Sequence, residues 1–192
     1  MLLWIILPIA AAAIVYAVII FNNLVRTRQM ANEAWSGIDV QLKRRSDLVP
    51  NLVDTVKGYA THERTVLEQV TELRGRARAL PEGDVPARAQ AEGALSAALG
   101  RLFALAENYP DLKASGNFLG LQQQLSDLEN ELQMARRYYN GAVRNLNVLV
   151  QSFPSNLIAG MFGFVQRDYF ELADAADRAV PEVVLQPGQP AR

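Results

Sequence analysis

Cysteine is absent from this chain, which excludes disulfides, thiolate metal sites and cysteine nucleophiles. Charge of one sign is also missing: 19 basic against 20 acidic side chains leave a net charge of −1 over 192 residues. No global field therefore draws in nucleic acid, and no nucleic-acid partner is expected. His62 is the single histidine and sits in the charged run THER, where a solvated side chain is expected rather than a ligand or base. Neither G-x-S-x-G, H-E-x-x-H nor a glycine-rich phosphate loop occurs. No catalytic, metal or cofactor site is expected, and the protein is read as a non-enzyme. An alternating strand pattern is lacking as well, so the fold class is all-α.

What is present begins with an apolar run. Residues 1–21 carry no charged side chain and are dominated by Leu, Ile, Val and Ala. As a helix the run spans roughly 30 Å, the thickness of a hydrocarbon core. A cleaved signal peptide needs a basic leader before the run and a small-residue cleavage site after it; neither is present, so a retained single-pass anchor over residues 1–23 is expected. Arg26, Arg28 and then Lys43, Arg44 and Arg45 all follow the run. The positive-inside rule places the N-terminus outside and the body in the cytoplasm, with the reverse topology left open.

The body, residues 24–172, reads as a bundle of long helices. Trp35, Leu42, Val49, Val56 and Val70 share one heptad position, and Ile38, Leu52, Tyr59, Val66 and Leu73 the other. Such a seam faces another helix. Pro50 interrupts it, lacking the N–H that the Ser46 carbonyl needs, so a kink or a break into two helices is expected there. PEGDVP at residues 81–86 is a loop, with Asp84 as an N-cap for a helix over residues 85–107. After a second break at residues 108–116, Asn117 is a candidate cap. The most regular helix follows, with Phe118, Leu125, Leu132, Tyr139, Leu146 and Phe153 on one seam position and Leu121, Leu128, Ala135, Ala142 and Leu149 on the other. Short loops place neighbouring helices antiparallel. Residues 173–192 form a polar tail containing proline and glutamine, expected to be disordered from residue 184.

Several side chains stand out as interaction candidates. Arg45 and Glu63 break the first seam, and each needs an opposite charge if the seam is buried. They lie roughly 27 Å apart along one helix and cannot pair within it; an antiparallel contact between two copies would bring them together. Asp39, Lys43 and Asp47, four apart, form an ion-pair ladder in preference to a basic binding site. LIAGMFGFV, residues 157–165, with Met161, Phe162 and Phe164, has three readings: a core cap on the bundle, an exposed partner surface, or an interfacial membrane element. Asn140 and Asn147, one heptad apart, suit the satisfaction of loop or helix-end backbone groups.

Four stretches in order, AWSGIDVQLKRRSDLVPNLVDTVKGYATHE, AENYPDLKAS, RRYYNGAVRNLN and FPSNLIAGMFGF, resemble the LemA family of bacterial membrane proteins. The linker PEGDVPARAQ lies outside these motifs. The resemblance implies one N-terminal transmembrane helix, a cytoplasmic antiparallel bundle and a bacterial cytoplasmic (inner) membrane location, with no established catalytic activity or cofactor. The expected function is a membrane-anchored helical scaffold that self-associates through its coiled-coil-like helices as a homo-oligomer. Its partners are the lipid bilayer and, as further candidates, other membrane proteins. The alternative is a membrane-shaping protein that uses packed anchors and residues 157–165.

Overall fold

A computed structural model describes residues 2–171 apart from Thr61 and Glu82, and among these residues every regular element is helical. The tail expected over residues 173–192 lies outside the described residues. Helix α1 runs from Leu2 to Lys57, 56 residues or about 84 Å. Its first part is apolar on all sides and exposed, as at Trp4, Ile9, Ile14 and Ile19. This is the one described helix long and apolar enough to cross a membrane. The same helix continues into the body, where burial becomes one-sided at Leu24, Ala31, Ile38, Leu42, Val49, Leu52 and Val56. The β-branched members of that stripe each cost a few tenths of a kcal/mol in helix propensity. Burying each contributes about 1.5–3 kcal/mol, so the seam decides.

Pro50 lies inside α1, which continues past it to Lys57. The carbonyl that Pro50 leaves without its usual donor, that of Ser46, accepts instead from Arg74 Nε at 2.6 Å. The chain leaves the first helix only after Lys57, and helix α2 spans Arg64–Ala79. The seam extrapolated through Tyr59 is thereby cut, and Tyr59 is exposed. Lys57 followed by Gly58 is the sequence signal of that end, a cation in the last turn and then glycine.

Helix α3, Val85–Ala106, is capped as expected, the Asp84 carboxylate accepting from the Ala87 N–H at 3.0 Å. Leu95, Leu99, Leu102 and Ala106 form its buried stripe. A short helix α4, Pro110–Lys113, fills the second break. Helix α5, Gly116–Gln151, starts behind Ser115, earlier than the expected Asn117 cap. It buries Phe118, Leu125, Leu132, Tyr139 and Leu146, whereas Phe153 falls beyond the helix end and is exposed, contrary to its place on the extrapolated seam. Helix α6, Ser155–Met161, leads into residues 164–171, which have no regular secondary structure.

Three core clusters lie along the body. One joins Leu24 to Leu146, Ala159 and Phe164; the next joins Ala31, Ile38 and Leu42 to Leu132, Tyr139 and Phe170. The third joins Val49, Leu52 and Val56 to α2, α3, Phe118 and Leu125. The clusters thus follow one order along α1 and the opposite order along α5.

Candidate functional site

Two features concentrate chemistry: a foot at the base of the body, beside the exposed apolar part of α1, and a buried charge cluster halfway up. The foot begins where α5 ends. The Ser155 hydroxyl donates within reach of two carbonyls there, Leu149 at 2.6 Å and Ser152 at 2.9 Å, capping the end of α5. After α6, Gly163 adopts φ +69°, a left-handed conformation that suits glycine, and the Phe164 N–H reaches back to the Ala159 carbonyl at 2.9 Å. The reversal drives Phe164 into the core, 7% exposed, with its ring 5.8 Å from Phe21 and under the Arg28 guanidinium at 4.9 Å. Phe162 lies 4.7 Å from Phe21 yet is 57% exposed, and Leu157 and Met161 are exposed beside it. LIAGMFGFV therefore divides by face: Ala159 and Phe164 are core, while Leu157, Met161, Phe162 and Val165 form an outward apolar surface.

Beyond the foot, residues 164–171 form a strap along α5. Asn147 accepts from the Arg167 N–H at 2.9 Å and donates to the Arg167 carbonyl at 2.9 Å. One heptad earlier, Asn140 accepts from Phe170 N–H at 2.9 Å and donates to its carbonyl at 3.2 Å. Each amide thus pairs with one residue's backbone as a neighbouring strand would, the role expected of the two asparagines. Tyr139 OH donates to the Asp168 carbonyl at 3.0 Å, and burial pushes its phenol above the usual value. Phe170, fully buried, packs against Trp35 and beneath Arg136. Neither heptad spacing nor composition singled out Phe170, because it belongs to no helix.

The charge cluster forms around Arg45. Its guanidinium donates to Ser96 Oγ at 2.7 Å and lies 3.5 Å from the Glu129 carboxylate and 3.9 Å from that of Glu92. Glu92 is itself buried, and burial holds its carboxyl above the ordinary range, against the lowering pull of Arg45 and Arg88. Arg88 donates to Asp39 at 2.9 Å. Glu63 accepts from Tyr109 OH at 3.0 Å, a hydrogen bond that raises the tyrosine's pKa. Both seam-breaking charges are met inside the chain, so neither requires a second copy, and the structure does not bring Arg45 and Glu63 together. The ladder keeps one rung, Lys43 to Asp47 at 3.3 Å, while Asp39 turns to Arg88. Arg45's partners on α3 and α5 were missed because Glu92 and Glu129 stand out only once the helices are docked. His62 is exposed, and among the described residues no group of three or more His, Asp or Glu converges as metal ligands.

The family model described as "LemA family" matches residues 34–184. Among curated proteins, Magnetosome protein MamQ 2 of Paramagnetospirillum magneticum is 25% identical over 184 residues, covering 83% of this chain and 68% of that protein. Magnetosome protein MamQ of Magnetospirillum gryphiswaldense is 24% identical with the same coverage. Protein LemA of Metamycoplasma hominis is 28% identical over 138 residues, covering 72% of this chain and 63% of that protein.

Proposed function

The chain belongs to the LemA family, and from that premise we propose that it is a membrane-anchored, non-enzymatic helical scaffold. One observation carries the reading: a single helix, α1, passes without interruption from an exposed apolar stretch into the buried seam of the body. An anchor joined by helix rather than by a flexible linker holds the body at a set height and direction relative to the bilayer. The opposite order of the core clusters along α1 and α5 supports an antiparallel bundle. Arg26 and Arg28, just past the charge-free run, favour an N-terminus outside and a body in the cytoplasm of a bacterial inner membrane.

Self-association is part of the proposal, through a surface other than the seams. The apolar stripes of α1 and α5 are filled by the chain's own helices, and among the described residues the anchors and the foot are apolar surfaces that stay open to a second copy or another membrane protein. Sizing the detergent-solubilised full-length protein beside a chain beginning at Val25 tests this. An assembly for the first and a monomer for the second support assembly through the anchors; two monomers defeat self-association. The outward apolar face of the foot favours the second reading, a membrane-organising protein.

A further inference from the structure

We propose that the outer face of α6 is a second membrane contact, resting in the interfacial layer of the same bilayer that α1 crosses, with anionic lipid headgroups held by the arginines above it. The inference rests on the anchored reading. Three observations converge on it. Leu157 and Met161 on α6 and Phe162 just past its end are apolar and exposed, and Met161 is 77% exposed. Each side chain left in water forgoes the gain of an apolar surrounding, so a patch of neighbouring apolar side chains marks a contact surface.

The second observation is position. Phe162 touches Phe21, the residue at which the run of apolar residues in α1 gives way to Asn22 and Asn23. With residues 2–21 of α1 in the hydrocarbon, roughly 30 Å, Phe162 is held at the level where chain and headgroups meet. The third is charge. Residues 145–166 carry no charged side chain, so the base of the body is uncharged on the α5–α6 side as it is on the α1 side. The first cations above it are Arg26 and Arg28 on α1 and Arg144 on α5, all exposed, and the half-buried Arg167 on the strap, held level with Asn147. An apolar face below and cations about one to two turns above is the profile of an interfacial element, and it sets lipid apart from a soluble partner, which requires no match to the height of the anchor.

The absence of cysteine makes the test direct. Full-length Phe162→Cys, carrying a nitroxide, is placed in vesicles of equal parts phosphatidylcholine and phosphatidylglycerol, beside Ile14→Cys and Leu119→Cys. Collision with oxygen exceeding collision with an aqueous nickel chelate at position 162, as at 14 and opposite to 119, is the expected result. An aqueous probe at 162 with a lipid-exposed probe at 14 overturns the foot contact and leaves the anchor standing. An aqueous probe at 14 as well overturns both. A probe at 162 shielded from both reagents means that protein covers the face, and it overturns the lipid assignment. In vesicles of phosphatidylcholine alone the 162 probe becomes shallower; an unchanged depth overturns the role given to anionic headgroups.

Discussion

Removing Arg45 tests the buried charge cluster. In Arg45→Met the Glu92 carboxylate keeps its burial and loses its nearest cation on α1, with Arg88 left nearby. Breaking one partner of a buried ion pair costs about 3–5 kcal/mol. Glu92 can also escape by taking up a proton, which places the expected loss near the lower end, about 3 kcal/mol at neutral pH. The pH dependence follows from the direction of the shift. A carboxyl whose folded pKa lies above its unfolded value of 4.5 favours the folded state when protonated, so its contribution falls as pH rises from 4.5 through the raised folded value. Burial is the main cause of that rise, and Arg45 opposes it. Without Arg45 the folded value climbs further, so the penalty of the variant is largest at neutral pH and shrinks toward pH 5. The double variant Arg45→Met/Glu92→Leu removes the two buried charges, leaves the partly exposed Glu129 carboxylate to water, and recovers most of the loss, because a well-packed apolar pair replaces a buried ionic one at little cost. Guanidinium unfolding of the full-length protein in detergent, followed by helical circular dichroism at both pH values, measures all of this. A single-variant loss under about 1 kcal/mol, or an equal loss in single and double variants, refutes the reasoning.

Other parts of the body make separate predictions. Phe164→Ser, at a core position, lowers the unfolding midpoint by the equivalent of roughly 3 kcal/mol or more, whereas Phe162→Ser at the exposed neighbouring site changes it by less than about 1 kcal/mol; equal effects contradict the division of LIAGMFGFV by face. Asn147→Ala removes the acceptor of the Arg167 N–H, so exchange of that amide, read by mass spectrometry, accelerates strongly while exchange in α3 does not. Pro50→Ala supplies the Ser46 carbonyl with a helical donor, so Arg74→Met costs about 1 kcal/mol less in the Pro50→Ala background than in the natural chain. A double-mutant cycle with no coupling shows that the Arg74 bond does not compensate for the proline.

The long elements were legible in the sequence because their signals are local and repeated. Phe118, Leu125, Leu132, Tyr139 and Leu146 fall on one stripe whatever surrounds them, and Asp84 before Val85 announces a cap in four residues. Asn140 and Asn147 could be assigned to backbone groups because a carboxamide beside a seam has both a donor and an acceptor to satisfy, although their partners were invisible. Extrapolation failed where periodicity continued past a real end: Tyr59 and Phe153 keep the register of a helix that has already stopped. Arg45 was recognisable as a buried charge, yet its partners depend on how α3 and α5 dock against α1. Phe170 and the strap carry no period and are positioned by side chains that lie 20–30 residues away in the chain.

The continuity of α1 from lipid into body is the claim on which the scaffold reading depends. Nitroxides at Ile9→Cys and Val40→Cys, both exposed positions on α1, report on it by pulsed electron resonance in lipid vesicles. An unbroken helix gives one narrow distance distribution centred at about 46 Å. A shorter or broad distribution shows a hinge between anchor and body, and a body on a hinge is not held at a set height.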